Sequence, residues 1–369
     1  MIKRFSVENF RGFAGMLTFD LSAGSYEFNP GIVYSNIVKN AIIYGRNGSG
    51  KSSLGVALFD IVRTLTDKMK MLDTYLLPYT NLMNTSSVAT FKYEFVFGNN
   101  DVMYECKKLG PDALLFERLE VNGEKKIEYD HNNPADYFLA PGYADDLMVE
   151  NLKGEVSILK YIKSRTPSNK IPVIDHLLDF VDRMLWYRCL SNGNDYAGFK
   201  TGNAGIEKTI KDLGLVRELE LFLKRFGIPY KLGFDENDSE EKLLCYFPDG
   251  RTARFYSIAS TGTKALVLLF YWSKVAFERA SFVFIDEFDA FFHYSLSEEI
   301  VKLLNARVGF QTVLTTHNVA LLNNEFTRPD CSFIIDDGRI ANLANRTDRV
   351  LREAHNLEKM YLNGAFADV

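Results

Sequence analysis

"AIIYGRNGSGKSS" occupies residues 41–53, and the reading of this stretch decides the fold. Gly45-Arg46-Asn47-Gly48-Ser49-Gly50-Lys51-Ser52 satisfies G-x-x-x-x-G-K-[ST]. Glycines let the backbone curl until successive N–H groups converge on phosphate oxygens, and a helix starting behind the loop adds the positive end of its dipole. Lys51 would reach the β- and γ-phosphates, the Ser52 hydroxyl would ligate Mg²⁺, and Asn47, Ser49 and Ser53 complete the loop. The apolar run "NAIIYG" in front reads as a strand, and "KSSLGVALFDIVRTL" behind has helical spacing. A glycine-rich turn without a nucleotide is the bland alternative, and the strand–loop–helix context speaks against it.

The chain around this loop is 369 residues long, enough for one large α/β domain with insertions or for two ordinary domains. Apolar residues make up 47%, so a sizeable core can be buried. No apolar run approaches a membrane span, and "MIKRFSVENF" lacks the apolar segment of a secretory signal, which together predict a cytoplasmic protein without membrane contact. Cys106, Cys189, Cys245 and Cys331 lie far apart without a C-x-x-C pair and read as buried or incidental thiols. The net charge of −5 lowers the expectation of an obligate nucleic-acid surface, although a local basic groove for DNA stays open.

Along the chain, residues 2–9 and 16–22 alternate around "RGFAG" as a β-hairpin does. "VATFKYEFVF", "DVMYECKK", "LLFERLEV" and "KKIEYD" read as an antiparallel meander. Residues 135–228 read as a helical insertion, with Ile174, Leu177, Leu178, Val181, Met184 and Leu185 on one helical face. No sustained heptad pattern supports a coiled-coil arm. "SFVFIDE", "FQTVLTTH" and "CSFIIDDG" are continuous apolar runs, as expected of parallel strands buried on both faces. The division is therefore 1–134 for an N-terminal lobe, 135–228 for the insertion and 229–369 for a C-terminal lobe.

Three further stretches carry chemistry. "FVFIDEFDAFFH" ends an apolar strand in two carboxylates: Asp286 would bind the metal through water, and Glu287 would orient and polarise an attacking water as general base. "SIASTGTKAL" sets Ser260, Thr261 and Gly262 at the mouth of a helix, where a hydroxyl and free N–H groups suit phosphate and where an ordinary N-cap would look the same. "TVLTTHN" ends a strand at His317.

In this order the elements resemble the soluble ABC-type P-loop ATPases, in the SMC-like, overcoming-lysogenization and abortive-infection branch that includes AAA-annotated prokaryotic defence ATPases. Ser260 and Gly262 match two positions of that family's Leu-Ser-Gly-Gly-Gln signature, which closes over the γ-phosphate of the opposite subunit. His317 matches the switch histidine, Asp289 the aspartate that couples two sites across a dimer, and "NFRGF" an N-terminal turn that makes Arg11 a nucleotide contact. The resemblance covers about residues 1–135 and 229–340 and implies an α/β ABC-ATPase head: a mostly parallel P-loop sheet, an antiparallel subdomain and a helical insertion. One departure from the pattern lies at the metal site. Its single glutamine, Gln311, is not where the family keeps a metal-sensing Gln, so either a residue of "PYTNLMNTSS" such as Asn81 or Asn84 substitutes, or the metal is held with one ligand fewer.

The resemblance implies hydrolysis of ATP with Mg²⁺ by two chains that sandwich two nucleotides, each site built from Lys51, Asp286 and Glu287 of one chain and Ser260 of the other. Opening and closing would gate a separately encoded nuclease or toxin in anti-phage defence. The alternatives are a DNA-binding repair ATPase of the recombination-mediator type, and a scaffold that binds ATP and scarcely hydrolyses it.

Overall fold

The computed structural model describes residues 1–68, 78–143, 149, 152, 154–189, 195–198, 205–235 and 241–366. Two seven-stranded sheets carry the fold. The first is antiparallel throughout, in the order Tyr137–Leu139, Glu124–Asp130, Ala113–Val121, Asn100–Gly110, Ala89–Phe97, Ile2–Glu8, Leu17–Asp20. This is the expected hairpin joined to the expected meander. Its strands alternate as a half-buried sheet must: Phe91, Tyr93 and Phe95 are buried, while Lys92 and Glu94 between them are partly exposed.

The second sheet runs Asp195–Gly198, Met184–Arg188, Phe282–Asp286, Gln311–Thr316, Asn40–Tyr44, Ser332–Asp336, Arg339–Asn342, with its five central strands parallel and both edges antiparallel. Successive residues of each central strand enter different cores. Ile43, Phe282, Phe284 and Val313 pack on the side of the antiparallel sheet, whereas Ile42, Tyr44, Val283, Ile285 and Leu314 pack on the side of the helix Thr261–Val275. Burial on both faces is why these strands read as unbroken apolar runs. The helix Lys51–Leu58 lies against the first of these faces. A Cβ on its Gly55 would stand 2.8 Å from Phe284 Cε1 and 2.9 Å from Trp186 Nε1, so only glycine allows that approach. The expected α/β head, with a mostly parallel P-loop sheet beside an antiparallel subdomain, is borne out. Among the described residues no helix is long and apolar enough to cross a membrane.

One expectation is corrected. Ile174, Leu177 and Val181 are buried on the helix Pro172–Asp182, but Met184 and Leu185 do not continue that face. The chain turns at Arg183, and Met184–Arg188 becomes a central strand parallel to Phe282–Asp286. Residues 135–228 are thus not a wholly helical insertion, since they give two strands to the parallel sheet and one to the antiparallel sheet. The cause is physical: a five-residue run buried on both faces has no periodicity to separate it from a buried helical turn.

Buried polar side chains join the layers. Gln311, 1% exposed, accepts from Ile2 N at 2.9 Å and donates to Ile2 O at 2.9 Å and Val38 O at 2.8 Å, tying the edge of the parallel strand to the antiparallel sheet. Lys108 on the meander donates to Asp60 at 2.7 Å and to Thr64 at 3.0 Å, and Tyr79 OH donates to the other Asp60 oxygen at 3.1 Å. Burial, reinforced by the Asp60 charge, pushes the Tyr79 phenol well up. All four cysteines are buried and unpaired.

Lys108→Met leaves Asp60 as an uncompensated buried charge and should cost about 3–5 kcal/mol in urea unfolding, part of which Asp60→Asn added to it restores. A loss below about 1 kcal/mol would mean that the pair carries no stability. Gln311→Ala orphans three buried backbone groups and should cost about 2–4 kcal/mol by the same measurement, at the upper end of single-residue effects.

Candidate functional site

Parallel pairing puts the C-terminal ends of neighbouring strands on one edge of the sheet. Tyr44 lies level with Thr316, Ile43 with Thr315, Ile285 with Leu314 and Arg188 with Asp286. The glycine-rich loop, His317, the carboxylates and Arg188 therefore emerge side by side, at the location where open α/β sheets bind ligands.

The loop curls as its composition predicts. Gly48 and Gly50 have φ of +79° and +102°. A Cβ on Gly45 would stand 2.5 Å from Ser49 Oγ and 2.8 Å from Ile335 O, so this glycine is required by close approach. Asn47 and Gly48 form the exposed tip, with Ser52 and Ser53 half-buried in the first turn of the helix. Lys51 is buried, and its Nζ donates to Gly45 O at 2.8 Å and Arg46 O at 3.0 Å. It also lies 3.2 Å from His317 Nδ1. An ammonium can only donate, so Nδ1 accepts and the imidazole proton sits on Nε2. Burial lowers the Lys51 pKa against the opposing pull of Asp286 and Glu287.

Asp286 is fully buried. Its Oδ1 accepts from Thr315 Oγ1 at 2.8 Å, and the same hydroxyl accepts from Glu287 N at 2.8 Å. One threonine thus fixes the carboxylate and the backbone of the residue beside it. Glu287 has φ +50°, a left-handed conformation that turns the chain sharply off the strand and is costly for a non-glycine residue. Asp289 accepts from Thr316 Oγ1 at 2.7 Å, within its own chain, and burial raises its pKa. The other Asp286 oxygen, Oδ2, accepts from Arg188 Nε at 3.1 Å and Nη2 at 3.0 Å. Thr315 and Arg188 were not legible in the sequence, because neither belongs to a motif and each matters only through strand pairing.

Ser260 is the exposed N-cap of Thr261–Val275 and accepts from Thr263 N at 3.2 Å. A Cβ on Gly262 would lie 2.8 Å from Phe291 O, so that glycine lets the helix mouth rest on the segment following the carboxylates. The "NFRGF" turn comes to the loop as well: Phe13 Cε1 is 2.9 Å from where a Gly50 Cβ would be, and Arg11 sits in the turn at φ +48°. Asn81 donates to Arg11 O, and Asn84 donates to Asn9 Oδ1 at 2.8 Å and Ala14 O at 2.7 Å. The amides of Asn81 and Asn84 hold this turn.

The residues fit a nucleotide with its metal. Ser49 Oγ is buried with no hydrogen-bond partner among the described residues, beside a loop of N–H groups and a lysine that rests on loop carbonyls. A hydroxyl and a carboxylate, Ser52 and Asp286, are hard oxygen donors of the kind Mg²⁺ takes.

Comparisons with known proteins come to the same loop. Residues 41–323, more than half of the chain, match the family described as "AAA domain, putative AbiEii toxin, Type IV TA system". No curated protein matches. Among solved structures, the chain is similar to an SMC head domain from Thermotoga maritima, at 17% identity over 92% of this chain and 97% of that one, with a TM-score of 0.44. It is also similar to an Smc head domain bound to the C-terminal domain of ScpA derived from Pyrococcus furiosus, at 12% identity over 93% and 97%, again at 0.44. With a strand–loop–helix phosphate cradle and the matched span running from that loop past His317, the chain belongs to this AAA-domain family of P-loop ATPases.

Proposed function

We propose that the protein is an ABC-type ATPase in which two copies sandwich two ATP molecules and so gate a partner. The observation that supports this most is the convergence of Lys51, His317, Asp286 and Glu287 at one sheet edge, with Lys51 and His317 in contact. Lys51 and the loop N–H groups, with Arg11 beside them, bind the phosphates. Ser52 and Asp286 hold Mg²⁺, which neutralises phosphate charge. Glu287, turned off the strand end by its backbone, orients the attacking water and takes its proton. His317, with its Nε2 proton free to donate, contacts the γ-phosphate once Lys51 has moved onto phosphate.

Ser260 and Gly262 face the nucleotide of the second copy, a role that the exposure of Ser260 at a helix N-terminus supports. Asp289 answers to the state of the site through Thr316, next to His317. The output is a separately encoded nuclease or toxin, in anti-phage defence. A slow-turnover, nucleotide-gated scaffold is the second reading, and the Arg188–Asp286 pair favours it because a cation already neutralises the metal-side carboxylate.

Glu287→Gln with ATP and Mg²⁺ should give a dimer, or a larger assembly, by light scattering, and Ser260→Arg added to it should abolish that change. A mass that ignores ATP and Ser260→Arg alike would sink the sandwich. Thr315→Val removes the hydroxyl that bridges Asp286 and Glu287. Turnover should fall about 10²-fold or more, as when other catalytic groups lose their positioning, while affinity for a fluorescent ATP analogue changes less than about threefold. Equal losses in binding and turnover would show that Thr315 supports the whole cradle instead of the carboxylates.

A further inference from the structure

Asp286 is fully buried, and a guanidinium from a different strand holds one of its two oxygens. Arg188 ends the strand Met184–Arg188, level with Asp286 in the parallel register, and directs Nε and Nη2 at the same Oδ2, 3.1 Å and 3.0 Å away. Its side chain is 18% exposed, and its Cζ lies 5.6 Å from the centre of the Trp186 ring. The guanidinium is therefore partly desolvated and steered by packing, yet it is not wholly sealed from solvent. Lys51, close enough to feel both Asp286 and Glu287, is the second cation of this edge.

A divalent cation held by Asp286 would have to share a buried carboxylate with a group of the same sign. Two cations on one carboxylate repel strongly where water is scarce, so the metal and Arg188 compete. A nucleotide changes that balance, because its terminal phosphate offers the guanidinium a bidentate anion at the same edge.

We infer that Arg188 is a positioning residue that occupies Asp286 in the absence of nucleotide, excludes free divalent cations, and yields the carboxylate to the metal only when phosphate arrives to take the guanidinium. Binding of metal and nucleotide is thereby made interdependent. The inference rests on the proposed ATP site, and it gives that site a residue which senses the phosphate from the metal side.

The test measures Mn²⁺ binding to nucleotide-free protein by loss of the free-ion electron paramagnetic resonance signal. Wild-type, Arg188→Gln, Arg188→Lys and the double variant Arg188→Gln/Asp286→Asn are compared. Arg188→Gln should bind Mn²⁺ about tenfold tighter or more, as expected when one buried like charge is removed, and the double variant should lose that gain. Arg188→Lys, which keeps the charge without the two-nitrogen hold, should fall between wild type and Arg188→Gln, and it carries the test should Arg188→Gln fail to fold. Mn²⁺ affinities equal to wild type in the folded variants, or a gain that persists without Asp286, would overturn the inference.

Binding of a fluorescent ATP analogue to wild type with Mg²⁺ separates the two levels of the argument. Absence of that binding sinks the ATP site itself, whereas normal binding with unchanged Mn²⁺ affinity in the variants sinks only the role of Arg188.

Discussion

Parallel strand register is the constraint on which the site depends. Pairing of Asn40–Tyr44 with Gln311–Thr316, of that strand with Phe282–Asp286, and of that one with Met184–Arg188 puts four strand ends on one edge. Their side chains are then near neighbours without any local sequence relation. Lys51 meets a histidine 266 residues away, and Asp286 meets an arginine 98 residues away. A slip of one residue in any of these pairs would send the alternating faces into the wrong cores, so burial on both faces enforces the register.

Burial on both faces fixes the register of the parallel sheet, and buried polar contacts add direction to the packing between layers. The buried amide of Gln311 and the Lys108–Asp60 pair supply directional contacts where apolar packing would tolerate sliding. Arg328 and Asp330 do the same for the N-terminal segment, since Asp330 also accepts from Gly24 N at 2.7 Å and Arg328 donates to Gly24 O at 3.1 Å. These groups are far from the glycine-rich loop, yet they hold the layers that carry it.

At the edge itself, charge and backbone strain are concentrated. Two cations, Lys51 and Arg188, face Asp286 and Glu287, and Glu287 departs from its strand in a left-handed conformation. The hydroxyl of Thr315 stabilises that departure by accepting the Glu287 N–H while donating to Asp286. Lys51 rests on carbonyls of its own loop and on the His317 ring nitrogen, so its three donors are held at this edge.

By itself the sequence determined whatever depends on local chemistry. The glycine spacing of residues 45–50 dictated the phosphate cradle, strict alternation dictated the antiparallel meander, and unbroken apolar runs dictated a parallel sheet buried on both faces. Ser260 was legible as a helix cap, and His317 and the two carboxylates as strand ends. Tertiary structure alone decided that Met184–Arg188 is a strand and not the end of a helix, because a short run buried on both faces carries no period. It also decided that Asn81 and Asn84 hold the Arg11 turn, and that Thr315 and Arg188 divide the oxygens of Asp286. Those contacts arise from pairing between distant strands, and a linear pattern of residue types does not encode which strand ends will be neighbours.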